Sequence, residues 1–470
     1  MKKIISYSLY GNKDLYCLGI LESIDIINKY YSSWEIYIYY NDIMEELLVI
    51  LKGKKNVKLF ECISNGYKWE GMFWRFYPLE YLDVDIVISR DADSRINDRE
   101  MELVNEWINS DKCFHIIRDH EGHRIEILGG TWGVKIKEFN KIAKINKINE
   151  YIQEYYKYYP KDQERQPDQL FLREIIYPFI KNNNLTHISL EELRYSDKDI
   201  IIQRGVNYVG QVIDNLTYKI KRGILYFHQG WTDIMNCLSL INYYCNMYDV
   251  IYLIVRKDSK NLINYYIKNL NVIPVFIEKC FLDGINNLKE IVDIEKYIDN
   301  SDLLCHGGHD KYRNDKYKNS FEKNGDFFVR AFYLSYNINY NYRIDYFKLE
   351  RNFELENNLY DKFIEKYGEK YILCHKINKE LINNNLLNNV NYIELSEGTN
   401  TFFDYIKILE YSIELHLIDS VWGILVYLLD CKYKLFKNKK IYLYATRGYS
   451  SMFCSPYKLE NWIIISDINQ

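Results

Sequence analysis

The feature of this sequence that most constrains its fold is an alternation of short apolar runs with longer amphipathic stretches. Apolar runs of strand length occur at residues 4–9, 35–40, 57–60 and 85–89, and segments with helical periodicity separate them. The run at 85–89 is almost continuously apolar, as expected for a strand that is buried on both faces. Alternation of this kind predicts the α/β class, with a mostly parallel sheet covered by helices on both sides.

A second alternation begins after a weakly patterned break at residues 208–222. It contains six further apolar runs of strand length, at residues 223–227, 250–255, 272–277, 371–375, 392–395 and 441–444. A chain of 470 residues also exceeds the length that one hydrophobic core usually serves. We therefore expect two α/β domains with Rossmann-like sheets, at residues 1–215 and 216–470.

Charge, cysteine content and hydropathy narrow the class of protein. A formal net charge of −4 argues against a general nucleic-acid binder. The 10 cysteines include no Cys-x-x-Cys pair, which favours free thiols in a reducing compartment. No signal-peptide core follows Met1, and the apolar run at 420–429 is too short to be a transmembrane segment. We therefore expect a cytoplasmic protein. The 47 tyrosines and 6 prolines are typical of an AT-rich genome, such as that of a low-GC bacterium, a parasite or a large DNA virus. If the source is a virus, the cytoplasm is that of the host cell.

The most informative segment follows the apolar run at 85–89 and contains Asp91-Ala92-Asp93, flanked by Arg90 and Arg95. Ligands of an open parallel sheet bind at the carboxyl ends of its strands. Two carboxylates on a turn at that edge are suited to one Mg²⁺ or Mn²⁺ ion, and the arginines to phosphate oxygens. A solvated turn is the alternative for a lone Asp-x-Asp, and the preceding strand favours the metal site.

The motif resembles that of the GT-A-fold glycosyltransferases, in which an Asp-x-Asp after a sheet strand binds Mn²⁺ or Mg²⁺ and the nucleotide sugar. The resemblance covers about residues 1–210. It implies a UDP-, GDP- or dTDP-linked sugar donor and a glycan acceptor. It also implies that Trp74 and Arg75 help to seat the nucleotide and that Gly129-Gly130 shapes the sugar pocket.

The same resemblance places His187 where a histidine often completes the metal shell, although a lone histidine before a strand is often structural. An inverting transfer needs a carboxylate that accepts the proton of the acceptor hydroxyl. Asp168 is the first candidate and Asp119 the second. The alternatives are that Asp168, after Pro167, is a helix N-cap, and that Asp119, with the neighbouring His120 and His123, is merely a polar surface residue.

Two turns of the second domain carry polar residues after predicted strands. His228 and Asp233 follow the first strand, and a late strand-to-helix junction contains His416, Asp419 and Ser420. Helix N-termini suit phosphate groups, and the region resembles half of a GT-B glycosyltransferase. The resemblance implies a second nucleotide site in a bifunctional protein. The alternative is a structural or acceptor-binding module in which Asp419 and Ser420 are only helix caps.

Together these features predict a metal-dependent glycosyltransferase that moves a sugar from a nucleotide-sugar donor to a hydroxyl of a glycan. A nucleotidyltransferase is one alternative, but it would need a glycine-rich phosphate loop after the first strand, and residues 6–11 contain one glycine. The other alternative is a non-catalytic glycan-binding or scaffold protein.

Overall fold

The computed structural model describes residues 1–67, 69–143, 147–158, 167–227, 230–278, 301–306, 333, 338–376, 391–395, 402–418, 420–444 and 460–465. The chain divides into two compact units, Met1–Lys219 and Ile220–Gln470, called unit 1 and unit 2 below. Among the described residues, no helix has the length and apolar character needed to cross a membrane.

Unit 1 is built on one eight-stranded sheet with the order β3-β2-β1-β4-β6-β5-β7-β8. All neighbouring strands are parallel except β6, which runs antiparallel to both β4 and β5. The strands are β1 (Lys3–Tyr10), β2 (Glu35–Asn41), β3 (Val57–Glu61), β4 (Ile86–Ser89), β5 (Phe114–Arg118), β6 (Trp132–Lys135), β7 (Asn184–Ile188) and β8 (Ile200–Ile201).

Helices connect these strands, as the sequence periodicity predicts. They are α1 (Asp14–Tyr30), α2 (Glu45–Lys52), α3 (Asp98–Asn109), α4 (Ile136–Ala143), α5 (Ile148–Tyr158), α6 (Pro167–Phe171) and α7 (Tyr177–Ile180). A 3₁₀ segment, Glu70–Glu80, lies between β3 and β4. Its aromatic side chains Phe73 and Phe76 are fully buried in the core of the unit. Their burial fixes the two residues between them, Trp74 and Arg75, near the end of the sheet.

The α/β class is confirmed, and the apolar run at 85–89 forms β4. All four of its residues are buried, which explains why the sequence there is a continuous apolar run. β4 pairs with β1 through Lys3–Ser6, so the residues that follow β1 and β4 emerge at the same edge of the sheet. This edge carries the candidate functional site.

Unit 2 is also of the α/β class, and its strands form two parallel sheets. A four-stranded sheet has the order β11-β10-β9-β12, and a five-stranded sheet has the order β14-β13-β15-β16-β17. The strands are β9 (Arg222–Phe227), β10 (Val250–Arg256), β11 (Val272–Ile277), β12 (Ser301–His306), β13 (Tyr371–Cys374), β14 (Asn391–Glu394), β15 (Glu414–Ile418), β16 (Lys440–Tyr444) and β17 (Trp462–Ile465).

The described helices of unit 2 are α8 (Trp231–Cys245), α9 (Lys260–Tyr266), α10 (Tyr342–Asp345), α11 (Phe353–Tyr367), α12 (Ile406–Tyr411) and α13 (Val421–Tyr433). One continuous apolar core includes residues of both sheets, such as Leu253 of β10 and Leu415 of β15. It also includes α13, of which Trp422 and Leu425 are fully buried. The shared core explains why the two sheets form one compact unit.

Candidate functional site

A cavity of about 720 Å³ lies at the edge of the unit 1 sheet where β1 and β4 end. Residues from several separate segments line it: Ser8, Tyr10, Gly11, Asn12, Lys13, Tyr16, Met72, Arg75, Asp91, Ala92, Asp93, His123, Leu128, Gly129, Thr131, Asp168, Gln169 and Gly210. The position agrees with the rule that ligands of open α/β sheets bind at the carboxyl ends of the strands.

Arg75 is the central cation of this cavity and is almost fully buried. Its backbone N–H donates to Ser8 Oγ at 2.9 Å, and its carbonyl accepts from Ser6 Oγ at 2.8 Å. Both serines belong to β1, so the strand fixes the main chain of Arg75. The guanidinium then joins two carboxylates, with Nη1 contacting Asp91 and Nη2 donating to Asp168 Oδ2 at 2.8 Å.

Asp168 is buried and lies in the first turn of α6, which begins at Pro167. Its carboxylate accepts a hydrogen bond from Arg75 Nη2 at 2.8 Å. Burial raises the pKa of Asp168 above its usual range, although the charge of Arg75 opposes the shift. A carboxylate with a raised pKa beside a cavity has the chemistry of a general base.

Gly129 and Gly130 pack their backbone directly against these charged groups. A Cβ atom on Gly129 would lie 2.2 Å from Arg75 Nη2 and 2.3 Å from Asp168 Oδ2. A Cβ atom on Gly130 would lie 1.9 Å from Asp91 Oδ2. Ser89 at the end of β4 fixes the loop, because its Oγ donates to the Gly129 carbonyl at 2.8 Å. A side chain at either position would therefore require Arg75, Asp91 or Asp168 to shift.

Asp91 and Asp93 both line the cavity, and their chemistry fits a hard divalent cation. Burial and the nearby charge of Asp91 raise the pKa of Asp93 to about 6. A cation bound beside both carboxylates would offset the repulsion between their negative charges. No group of three or more His, Cys, Asp or Glu residues suited to a metal occurs in the described part of the chain. With Asp91 and Asp93 as protein ligands, water and phosphate oxygens would complete the shell, as is common for Mg²⁺.

His187 is not placed with these carboxylates, which corrects its assignment to the metal shell. It is fully buried in β7, and its Nδ1 lies 2.9 Å from His115 Nε2 on the neighbouring β5. Its Nε2 lies 3.2 Å from Glu106 Oε2 of α3. Both ring nitrogens thus have partners between the sheet and α3, and burial lowers the pKa of His187.

The arginines that flank the motif also differ from the prediction. Arg90 is 1% exposed, its Nε binds Glu100, and its Nη1 donates to the carbonyls of Ser89 and Trp132. Arg95 binds Glu22 of α1 at 2.9 Å. Neither arginine lines the cavity, because the carboxylate of a packed helix neutralises each one.

Asp119 is likewise engaged and does not line the cavity. It is 1% exposed, and both of its oxygens accept from Arg99 at 2.9 Å. The N–H of Val209 donates to the same carboxylate at 3.0 Å. Asp168 lines the cavity and Asp119 does not, which makes Asp168 the better candidate for the proton acceptor.

His123 does line the cavity, and the Asp119 backbone orients its ring. The Asp119 N–H donates to His123 Nδ1 at 3.1 Å, so the ring proton resides on Nε2. Burial lowers the pKa of His123 to about 4, and the ring is therefore neutral at pH 7. His120 instead stacks on Tyr208, with ring centroids 4.2 Å apart.

Trp74 does not line the cavity but contacts Tyr10, a cavity residue that the sequence reasoning missed. Trp74 is 3% exposed and contacts the Tyr10 ring edge-on, with centroids 5.7 Å apart. Gly71 allows this position, since a Cβ atom there would lie 2.4 Å from the Tyr10 ring. Lys13, Tyr16 and other cavity residues after β1 were also missed; their signal is the turn between β1 and α1, at the edge shared with Asp91.

The candidate residues of unit 2 do not form a comparable site among the described residues. Ser420 precedes α13, and its Oγ lies 2.8 Å from His375 Nδ1. His416 is buried in β15, with Nδ1 3.0 Å from the Tyr444 hydroxyl. Asp233 is half-buried in the first turn of α8. His228 and Asp419 lie outside the described residues.

No protein-family model matches this sequence, and no curated protein matches it. Solved structures do align. The galactosyltransferase LgtC in complex with donor and acceptor sugar analogues aligns at 14% identity and a TM-score of 0.26, over 40% of this chain and 73% of that chain. S. aureus TarS 1–349 aligns at 14% identity and a TM-score of 0.28, over 57% and 70% of the two chains.

A third structure, the 4-diphosphocytidyl-2C-methyl-D-erythritol synthase of Anaerococcus prevotii, aligns at 12% identity and a TM-score of 0.25, over 41% and 91% of the two chains. These TM-scores lie below 0.5 and do not discriminate between sugar transfer and nucleotidyl transfer. The fold assignment therefore rests on the observed strand order, and the function has to be argued from the cavity.

Proposed function

We propose that unit 1 is a metal-dependent glycosyltransferase that moves a sugar from a nucleotide-sugar donor to a hydroxyl group of a glycan. The observation that carries the proposal is the convergence of Asp91, Asp93, Arg75 and Asp168 on one cavity at the carboxyl ends of β1 and β4. Its volume of about 720 Å³ lies within the range of small-molecule sites.

Different residues of the cavity suit different parts of a metal-bound nucleotide sugar. Asp91 and Asp93 would hold Mn²⁺ or Mg²⁺, which when bound neutralises the diphosphate of the donor. Lys13 adds a cation at the start of α1, where free backbone N–H groups also favour phosphate. Tyr10 and Tyr16 offer ring surfaces for a base or a sugar.

Asp168 is our candidate for the residue that accepts the proton of the acceptor hydroxyl. Its raised pKa brings it closer to neutral pH, and the contact with Arg75 holds the carboxylate in one orientation. The neutral His123 ring carries its proton on Nε2 and offers Nδ1 to the Asp119 N–H, so it is unsuited to accept that proton. The proposal concerns unit 1, because two described candidates of unit 2, His416 and Ser420, contact the neighbouring side chains of Tyr444 and His375 and do not contact each other.

The test is a turnover assay with two arms, one for sugar transfer and one for nucleotidyl transfer. Purified protein with Mn²⁺ is incubated with UDP-, GDP- and dTDP-sugars, and release of the nucleoside diphosphate is measured. We expect release with one nucleotide class and a loss of at least about 100-fold in Asp91→Asn and Asp168→Asn. Asp197→Asn, at an exposed position of the same unit, is the matched control and is expected to retain full activity.

A parallel arm supplies nucleoside triphosphates with sugar 1-phosphates and measures pyrophosphate. Pyrophosphate release without nucleoside diphosphate release would contradict sugar transfer and support a nucleotidyltransferase. No turnover in either arm, with glycan binding that is independent of metal, would support the non-catalytic alternative.

A further inference from the structure

We propose that Arg75 is an internal counter-ion that occupies Asp91 before a divalent cation binds, so that the cation and the guanidinium compete for this carboxylate. The inference rests on the proposed metal site. It assigns control over metal affinity to a residue that is not itself a metal ligand.

Arg75 is the fixed member of the pair. Its main chain is bound on both sides by β1, through Ser6 and Ser8. Its side chain is 8% exposed and remains anchored through Nη2 on Asp168, whose side chain is 5% exposed. A buried and doubly held guanidinium has little freedom to withdraw.

Asp91 is the more exposed member of the pair. Its side chain is 40% exposed, in contrast to those of Arg75 and Asp168, and it lies on the turn after β4. Asp91 Oδ2 packs against the Gly130 backbone, so the carboxylate has one oxygen on Arg75 and the other beside the loop that borders the cavity.

A cation that takes Asp91 as a ligand must therefore replace the contact with Arg75 Nη1 or share the carboxylate with a positive charge in direct contact. Either route lowers the affinity of the metal-free protein for the cation. A charge-assisted hydrogen bond of a part-exposed pair has a strength that corresponds to about a tenfold change in an equilibrium constant. The same step leaves Nη1 of Arg75 available to a ligand oxygen only after the cation is bound, so occupancy by cation and by anionic ligand would be mutually favourable.

The test measures binding of Mn²⁺ alone to the 470-residue chain, from the electron paramagnetic resonance signal of the free ion. The key variant is Arg75→Met with Asp168→Asn, which removes the cation without leaving the buried Asp168 charge unpaired. We expect this double variant to bind Mn²⁺ about tenfold more tightly than the wild type. Asp168→Asn alone keeps Arg75 on Asp91 and is expected to bind no more tightly than the wild type.

Arg95→Met is the matched control for a general loss of positive charge, because Arg95 lies on the same loop but binds Glu22. It is expected to change the affinity less than about threefold. Equal or weaker Mn²⁺ binding by the double variant, with measurable binding by the wild type, would overturn the role of Arg75. If neither the wild type nor any variant binds Mn²⁺, the proposed metal site itself is wrong and this inference falls with it.

Discussion

Replacing Asp93 with asparagine is expected to stabilise the metal-free protein at neutral pH, although it removes a proposed metal ligand. Burial and the charge of Asp91 raise the pKa of Asp93 from 3.8 to about 6. Between these two values the folded state binds more protons than the unfolded state, so stability falls as the pH rises. The favourable contribution is complete below about pH 4 and is lost once the pH exceeds the folded pKa of about 6.

The size of the effect follows from the pKa shift. A rise of about two units corresponds to about 3 kcal/mol if the group were fully shielded from water. Asp93 is half-buried, and solvent screening reduces the figure to about 1–2 kcal/mol. For a unit the size of Met1–Lys219, this is a rise in Tm of about 2–8 °C. Asparagine has nearly the same shape and does not ionise, so it avoids the whole cost.

The assay is thermal unfolding of wild type and Asp93→Asn in the presence of a chelator, from pH 4 to pH 8. We expect the variant to be more stable at pH 7.5 and the two proteins to converge near pH 4. Added Mn²⁺ should then stabilise the wild type by mass action and leave the variant unchanged. Asp83→Asn is the control, since Lys2 lowers the pKa of the exposed Asp83 and the variant should gain no stability. A wild type as stable as Asp93→Asn at pH 7.5 would refute the reasoning.

Three further outcomes are expected. Gly130→Ala should weaken metal-dependent donor binding at least about tenfold, because its Cβ would overlap Asp91. Calorimetry measures the change. The control Gly122→Ala should bind the donor normally, since the atom nearest to its Cβ is 3.2 Å away. His123→Phe should lower the free energy of unfolding by about 1–3 kcal/mol, because the Asp119 N–H loses its acceptor. Urea unfolding measures the change, and the control His120→Phe should change the free energy of unfolding by less than about 1 kcal/mol. Lys439→Met should lower the free energy of unfolding of unit 2 by about 1–3 kcal/mol, because Lys439 Nζ donates to the carbonyls of Leu409 and Glu410. The control is Lys437→Met, which changes an exposed lysine and should have no effect.

Much of unit 1 was predictable because a strand buried on both faces must be apolar along its whole length. The run at 85–89 met this requirement, and it became β4 with all of its residues buried. The position of Asp91 and Asp93 at the ligand-binding edge then followed from the parallel arrangement of β1 and β4. Sequence patterns identify such edges because strand direction, not side-chain packing, determines them.

The direction of individual polar side chains was not predictable. Arg90 precedes Asp91 directly, yet it turns into the protein because Glu100 of α3 neutralises it there. His187 meets His115 only because β7 pairs with β5 in a particular register, which the sequence does not specify. Arg75, by contrast, was assigned from the family resemblance. Its link to both Asp91 and Asp168 depends on three segments that are distant in the chain.

The architecture of unit 2 was predicted only in part. Six of its strands were recognisable as apolar runs, and β15 as the strand before a late helix, but the division of the strands into a four-stranded and a five-stranded sheet was not predicted. Each sheet alone satisfies the same alternating pattern. The boundary between them is set by which strands pair, and β12 and β17 lie at the edges of their sheets.

The central claim is that the cavity binds a nucleotide sugar through a metal held by Asp91 and Asp93. The most direct measurement is the change in Tm that UDP-, GDP- and dTDP-sugars produce with and without Mn²⁺, in the wild type and in Asp91→Asn. We predict stabilisation by one nucleotide class that requires Mn²⁺ and disappears in the variant. Stabilisation that persists without Mn²⁺ or in Asp91→Asn, or no stabilisation by any donor, would contradict the claim.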